Sequence, residues 1–441
     1  MITRRQVLTD GAIALASARL LSLPLQVLAD DDGMKMDGMK MSSDQPTTVA
    51  SEAPKLPSTM PASSPVDGRY TPVITPNGST LPYILDGDVK VFHLVAEPVQ
   101  REFAPGMTVE CWGYNGQTPG PTIEAVEGDR VRIFVTNKLP ETTTVHWHGL
   151  LLPNGMDGVG GLTQPHIQPG ETWVYEFDLK QHGTQMYHPH SDEMVQMALG
   201  MEGFFIIHPK EVPAKIDRDF CIFLQEWMIP PGASRPNPMI MTDFNIFTFN
   251  SRVYPGTDPL IVKIGERVRI RYANLSMDDH PMHMHGHKFA LVETDGGEVP
   301  ESARWPLATV NVPVGTTQCV EFIADNPGDW PLHCHKNHHT MNAMNHDIPN
   351  LLGVDQGKTT TRVSDLVPGY MEMGSSGMHD MTGMQMPLPK NTLPMMAGDG
   401  PYGAIAMGGM FTLVKVRENL TSYADPGWYQ QPAGTSARRV S

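Results

Sequence analysis

The chain has 441 residues, with 48 acidic against 32 basic side chains and a formal net charge of -16. That balance excludes a nucleic-acid partner, whose phosphates would be repelled. Gly and Pro contribute 41 and 40 residues, which favours short strands and many turns over a helical bundle, while a 40% apolar content is enough to bury the cores of two or three domains.

In chain order, the first signal is Arg4-Arg5 followed by Gln6-Val7-Leu8, a modest apolar run, and Val27-Leu28-Ala29 as a small-residue cleavage site. Residues 1–29 resemble a twin-arginine export signal, so the mature chain is expected to begin near Asp30 in the periplasm. No later run is long and apolar enough to span a bilayer, so the mature protein is expected to be soluble and not membrane-embedded. A Met-, Pro- and Ser-rich linker follows over 30–84, with "GMKMDGMKM" at 33–41.

The rest of the chain carries a duplication. "VEGDRVRIFVTNKLPETTTVHWHGL" (126–150) matches "KIGERVRIRYANLSMDDHPMHMHGH" (263–287) at a spacing of 137, which places His146 and His148 on His283 and His285. "PGETWVYEFDLKQHGTQMYHPH" (169–190) matches "VGTTQCVEFIADNPGDWPLHCH" (314–335) at a spacing of 145, which places His188 and His190 on His333 and His335. Two domains are expected, at 85–213 and 214–416, with a C-terminal tail at 417–441. Each reads as alternating runs such as "RVRIFVTN" and "TWVYEFDL", broken by Gly, Pro and Asn, the texture of a β-sandwich. In an extended strand residues two apart face one side, so each His-x-His pair aims two imidazoles at one point.

The halves differ in one respect. His280, Cys334, His339 and Met344 of the second correspond to Thr143, Pro189, Met194 and Leu199 of the first. A thiolate, two imidazoles and a weak axial thioether make a blue-copper electron-transfer site, so the second half carries a full set and the first carries none. Met407 and Met410 are rival axial ligands, but Met344 has the better spacing. The eight paired histidines remain for other metal ions. In "LHCHKNHH" the Cys334 side chain is expected to point one way and those of His333 and His335 the other, so one tripeptide touches two centres. Cys111, Cys221 and Cys319 are left over; two of them could form a disulfide in an oxidising compartment, and Cys319 reads as a buried strand residue.

"HWHG", "HPHS", "HPMHMHGH" and "HCHKNHHTMNAM" resemble, in order, the four copper signatures of the multicopper oxidases, a family of laccases, cuprous oxidases and ferroxidases. The resemblance covers roughly 85–350 plus "GGMFTLVKV". It implies an all-β fold of two tandem cupredoxin-like Greek-key β-sandwich domains. It also implies about four copper ions per chain: type 1 at His280, Cys334, His339 and Met344; type 2 at His146 and His283; and a type 3 pair at His148, His188, His190, His285, His333 and His335. Asp157 matches the acidic residue that the family keeps near its type 2 copper. A glutamate that many relatives carry after "HCH" is here Asn337, which leaves Asp192 and Glu193 as substitutes for the second carboxylate of a proton relay.

With no room for a copper-free middle domain, the chain resembles the two-domain laccases, which implies a homotrimer whose trinuclear clusters lie between subunits. The activity expected is oxidation of Cu(I), possibly of a small phenolic or another metal reductant, coupled to four-electron reduction of dioxygen to water, in copper tolerance. The methionines of 371–396 are soft ligands suited to Cu(I). The alternative is a copper-sequestering protein that uses its Met-rich tracts on a cupredoxin scaffold; a complete ligand set argues against it. A copper nitrite reductase would carry its type 1 set in the first domain, the opposite of this chain.

Overall fold

The computed structural model describes residues 54–342 and 398–440, apart from Val66, Val212, Pro213 and Pro231, together with Arg362, Asp365, Leu366 and Asn391. The export-signal segment 1–29, the tract 33–41, Met344 and the methionines of 371–396 lie outside the described residues.

Alternating sequence becomes alternating burial: the strand Arg130–Asn137 buries Val131, Ile133 and Val135 completely while Arg130 and Arg132 reach toward solvent and pair with Glu176. Strands of this kind build two sandwiches. In the first, a sheet of Tyr83–Asp86, Val89–Ala104, Arg130–Asn137 and Thr172–Asp178 packs on one of Gly120–Val126, Gly203–His208, Gly183–His188 and His146–His148. In the second, a sheet centred on Arg218–Trp227, Arg267–Asn274 and Thr316–Ile323 packs on one of Leu260–Lys263, Phe411–Arg417, Gly328–Cys334, His280–Met284 and Thr309–Val312.

The duplication extends to pairing. Val89–Ala104 runs parallel to Arg130–Asn137 as Arg218–Trp227 does to Arg267–Asn274. Gly120–Val126 runs parallel to Gly203–His208 as Leu260–Lys263 does to Phe411–Arg417. Parallel neighbours require crossovers between sheets, and the expected pair of tandem all-β sandwiches holds. Part of the segment read as linker binds both of them: Ile74 bonds Asp219 and Cys221, and Leu81 bonds Thr122, with Val73 and Leu81 buried. Its apolar residues are too few and too close to the prolines to give a strand signal. The four cysteines are buried and unpaired, Cys319 within the strand Thr316–Ile323.

A buried charged pair of the second half reaches the first. Arg271, 2% exposed, holds Asp219 through two hydrogen bonds of 2.8 and 2.9 Å, and its Nη1 donates to Thr184 Oγ1 of the first sandwich at 2.7 Å. Removing one partner of a buried pair strands the other charge away from water. Asp219→Ala is therefore expected to cost about 3–5 kcal/mol, read as a fall in the urea midpoint; a loss under about 1 kcal/mol would mean that the pair acts as a surface contact.

Candidate metal centres

The strand Gly328–Cys334 lies between His280–Met284 and Phe411–Arg417, and its register sets Met282 beside Cys334 and His283 beside His333. Cys334 thereby faces the core of the second sandwich. Its Sγ is 3.5 Å from His339 Nδ1 and 3.7 Å from His280 Nδ1, and those two nitrogens are 3.1 Å apart. All three residues are fully buried. His339 sits on a 3-10 turn, Asn337–Thr340, stacked on Phe247 with centroids 4.0 Å apart. Burial pushes the Cys334 thiol up to about 12 and His280 down to about 3, and it depresses His339 as well. An empty cluster would thus be a neutral thiol with two neutral rings, and a bound cation must displace the thiol proton.

On the opposite face the four His-x-His pairs form two groups of four. His146 lies beside His188 on neighbouring strands of one sheet of the first sandwich, as His283 does beside His333 in the second. Between them the residues at the middle position, Trp147 and Met284, point into the cores and are 0% and 1% exposed. The tautomers are set alike in both halves. His146 Nδ1–H donates to the Asp157 carbonyl at 2.8 Å and His283 Nδ1–H to that of Ala308 at 2.7 Å. His188 donates to Pro189 O and His333 to Cys334 O, both at 2.9 Å. Each of these rings keeps its Nε2 lone pair for a metal. His188 Nε2 lies 3.3 Å from His148 Nδ1, and His333 Nε2 lies 3.2 Å from His285 Nε2. His190 and His335 complete the two groups, with centroids 5.6 Å from His146 and 5.4 Å from His283. Among the described residues, the ring contacts of these eight histidines stay within one half or the other.

Carboxylates stand beside both sets. Asp157 Oδ1 lies 3.5 Å from His146 Nδ1. The turn that holds it depends on Gly158, at φ +88°, where a Cβ would lie 1.8 Å from the Val145 carbonyl oxygen. Glu193 opens a short helix, Glu193–Ala198, and reaches His190 Nε2 at 3.6 Å and His188 Nδ1 at 3.9 Å. Asp192 is the exposed residue before it, and among the described residues no histidine lies against its carboxylate. Two acidic residues were not found from the sequence. Glu226 Oε1 is 3.6 Å from His280 Nε2 and 3.9 Å from His339 Nε2, and Asp278 Oδ2 is 3.6 Å from His339 Nε2. The signal for Glu226 was there: it is an acid in the otherwise apolar run "FCIFLQEW", a strand buried along nearly its whole length.

The donor sets fit copper. A thiolate and two imidazoles within 4.8 Å of one another suit a soft, redox-active ion, and each histidine group offers imidazoles alone. Both halves match multicopper oxidase family models, at residues 96–212 and 230–351. Copper resistance protein A of Escherichia coli is 29% identical over 351 residues, covering 65% of this chain and 55% of that protein. Laccase-1 of Cryptococcus neoformans var. grubii is 30% identical, covering 52% of this chain and 43% of that one. The chain thus spans about half the length of these curated relatives. Among solved structures, the blue copper oxidase from Nitrosomonas europaea superposes with a TM-score of 0.55 at 26% identity, over 74% of this chain and 85% of that one. The multicopper oxidase mgLAC superposes at 0.56 with 25% identity, over 77% and 91%. With both halves matched and a thiolate cluster set back to back with histidine groups, the chain belongs to the multicopper oxidases.

Proposed function

We propose that this protein is a periplasmic multicopper oxidase that withdraws electrons singly from Cu(I), and secondarily from phenols, and delivers four of them to dioxygen. The single observation that carries the reading is the two-faced strand at His333-Cys334, which puts Sγ against His280 and His339 and an imidazole against His283 and His285. Copper bound by these residues supplies one-electron redox chemistry and the storage that a four-electron reduction requires. His280, Cys334 and His339 would hold the type 1 ion, with Met344 as the fourth donor expected from the sequence. His146 and His283 would hold type 2, and His148, His188, His190, His285, His333 and His335 would hold the type 3 pair. The twin-arginine-like leader supports export to the periplasm, and the copper resistance protein A relatives support a place in copper tolerance.

The protein's own groups perform the remaining steps. Cys334 Sγ, its main chain and the His333 ring form the covalent path from one centre to the other. Reduction of one dioxygen to two waters consumes four protons, and Asp157, whose carboxylate lies against the His146 ring, is placed to hold one. Among the described residues the histidine groups of the two halves make no ring contact with each other, and exposed apolar side chains occur in the segments beside each: Leu151 and Leu162 after His148, and Trp305 and Val314 around the strand that borders His283. These features support a homotrimer in which the first half of one subunit meets the second half of its neighbour. Metal bound between subunits would stabilise the assembly by mass action.

Three outcomes are expected. Copper-loaded protein is blue, and Cys334→Ser abolishes both the absorbance and dioxygen uptake while the histidine groups still retain copper; an intensely blue Cys334→Ser protein would remove Cys334 from the site. Asp157→Ala keeps the blue absorbance but slows turnover roughly 100-fold at neutral pH, measured by steady-state oxygen consumption; unchanged turnover would place the proton supply elsewhere. Light scattering of the loaded protein gives a trimer, and a mixture of His146→Ala with His283→Ala chains regains part of the activity that each lacks. An active monomer would contradict the shared cluster.

A further inference from the structure

The turn from the strand Arg267–Asn274 to the strand His280–Met284 is built around one side chain. Asn274, fully buried, donates through Nδ2 to the carbonyls of Asp278 and Val312, both at 2.9 Å. Its Oδ1 accepts from Ser276 N at 2.9 Å and from Ser276 Oγ at 2.7 Å. The first half repeats this knot. Asn137 donates to the carbonyls of Glu141 and Ile167 at 2.8 and 3.0 Å and accepts from Leu139 N at 2.9 Å. The halves differ in the residue two places after the asparagine. In the first it is Leu139, an apolar side chain of the core that gives the knot only its main chain. In the second it is Ser276, on the wall of a cavity of about 430 Å³ between the two sandwiches, and its Oγ lies 2.9 Å from His280 Nε2.

The direction of each bond follows from what its atoms can do. Both amide hydrogens of Asn274 point at carbonyl oxygens, which only accept, so the other end of the amide is its oxygen. The Ser276 hydroxyl has one hydrogen and donates it to that oxygen. Its remaining neighbour of this kind, the Asp278 carbonyl at 3.3 Å, is again an acceptor. The hydroxyl therefore has only lone pairs for His280, and the proton of the neutral His280 ring sits on Nε2. Nδ1 is left bare, facing His339 Nδ1 at 3.1 Å and Cys334 Sγ at 3.7 Å. Glu226 Oε1, at 3.6 Å from His280 Nε2, is too far to replace the hydroxyl. His339 has no such lock, since its Nε2 is without a hydrogen-bond partner among the described residues.

We propose that Ser276 is a positioning residue for the type 1 ion: it fixes the tautomer and ring angle of His280 so that a bare Nδ1 is presented to the metal. The proposal rests on the reading of His280 as a type 1 ligand. An acceptor on the far nitrogen of a ligating imidazole also raises its basicity. A more basic nitrogen favours Cu(II) over the softer Cu(I), so Ser276 holds the reduction potential down. The repeat shows the same knot where no imidazole has to be aimed: Thr143 takes the place of His280, and leucine takes the place of the serine.

The test compares the full-length parent with Ser276→Ala and with Ser276→Thr, which keeps the hydroxyl. In the copper-loaded chains the blue absorbance is titrated against potential. Ser276→Ala is expected to lose about tenfold in its preference for Cu(II), a rise of about 59 mV for a one-electron couple, while Ser276→Thr stays with the parent. An unchanged potential in Ser276→Ala, or an equal rise in Ser276→Thr, overturns the proposal. In the metal-free parent, nitrogen NMR of labelled histidine reads the tautomer directly, with the His280 signals assigned by their loss in His280→Gln. A proton on Nε2 alone is expected, and a proton on Nδ1 overturns the proposal; this measurement needs no serine variant to fold. Nitrogen signals as expected in a protein that never turns blue would fault the type 1 reading and not the lock on His280.

Discussion

The link between the two candidate metal centres depends on the alternation of side chains along one strand. The backbone of Leu332 to Cys334 is fixed on one side by Met282–Met284 and on the other by Phe411–Thr412, and Cys334 N also donates to Met410 O at 3.1 Å. So held, the strand sends its thiol into a dry core and the neighbouring imidazole to the opposite face. A slip of one residue would exchange the faces. The thiol would meet the histidine group and His333 the core, and neither centre would keep its donors. The precision required of the ligands is thus supplied by a ladder of main-chain hydrogen bonds and by the packing of Met282, Met284 and Leu332, each no more than 1% exposed.

The two halves show what such a sandwich does with and without the thiolate cluster. In the first, Thr143 stands where His280 stands in the second, and its hydroxyl donates to Gln196 Oε1 at 2.7 Å; Gln196 in turn donates to Glu141 and to Thr142 O. A closed polar network occupies the position, with Leu199 fully buried below it. The residue at the repeat position of His339 is Met194, which is turned outward to the cavity between the sandwiches. Beside the Cys334 cluster, two buried polar atoms have no hydrogen-bond partner among the described residues: Glu226 Oε1 and His339 Nε2. Buried polar groups are nearly always paired, so such a concentration marks a place where binding matters more than stability.

The repeat, the strand period and the grouping of the paired histidines and of Cys334 with His280 and His339 were legible in the sequence because each rests on spacing along the chain. His-x-His can be read as a same-face pair once the segment is recognised as extended, and the loss of Cys334, His280 and His339 from the first half is visible by alignment alone. What escaped depends on distance through space. Glu226 is more than fifty residues from His280 and joins it only because Arg218–Trp227 lies beside the strand Arg267–Asn274 that leads to that histidine. Glu193 could be proposed from its nearness to His190, but its choice over Asp192 follows from the left-handed backbone of Asp192, φ 48°, which starts the helix and turns Glu193 toward the rings. The binding of residues 71–81 to both sandwiches was hidden by a composition that reads as linker.

The central claim is that electrons taken in at the Cys334 cluster reach the histidine groups, where dioxygen is reduced, through the strand at His333-Cys334. The most direct measurement is a single turnover: copper-loaded protein is fully reduced, freed of reductant and mixed with dioxygen, while absorbance and oxygen are followed together. The account predicts that the blue absorbance returns completely as about one dioxygen per chain is consumed, since four electrons were stored, with no hydrogen peroxide released. Absorbance that stays bleached in dioxygen, or returns with peroxide in its place, would contradict it.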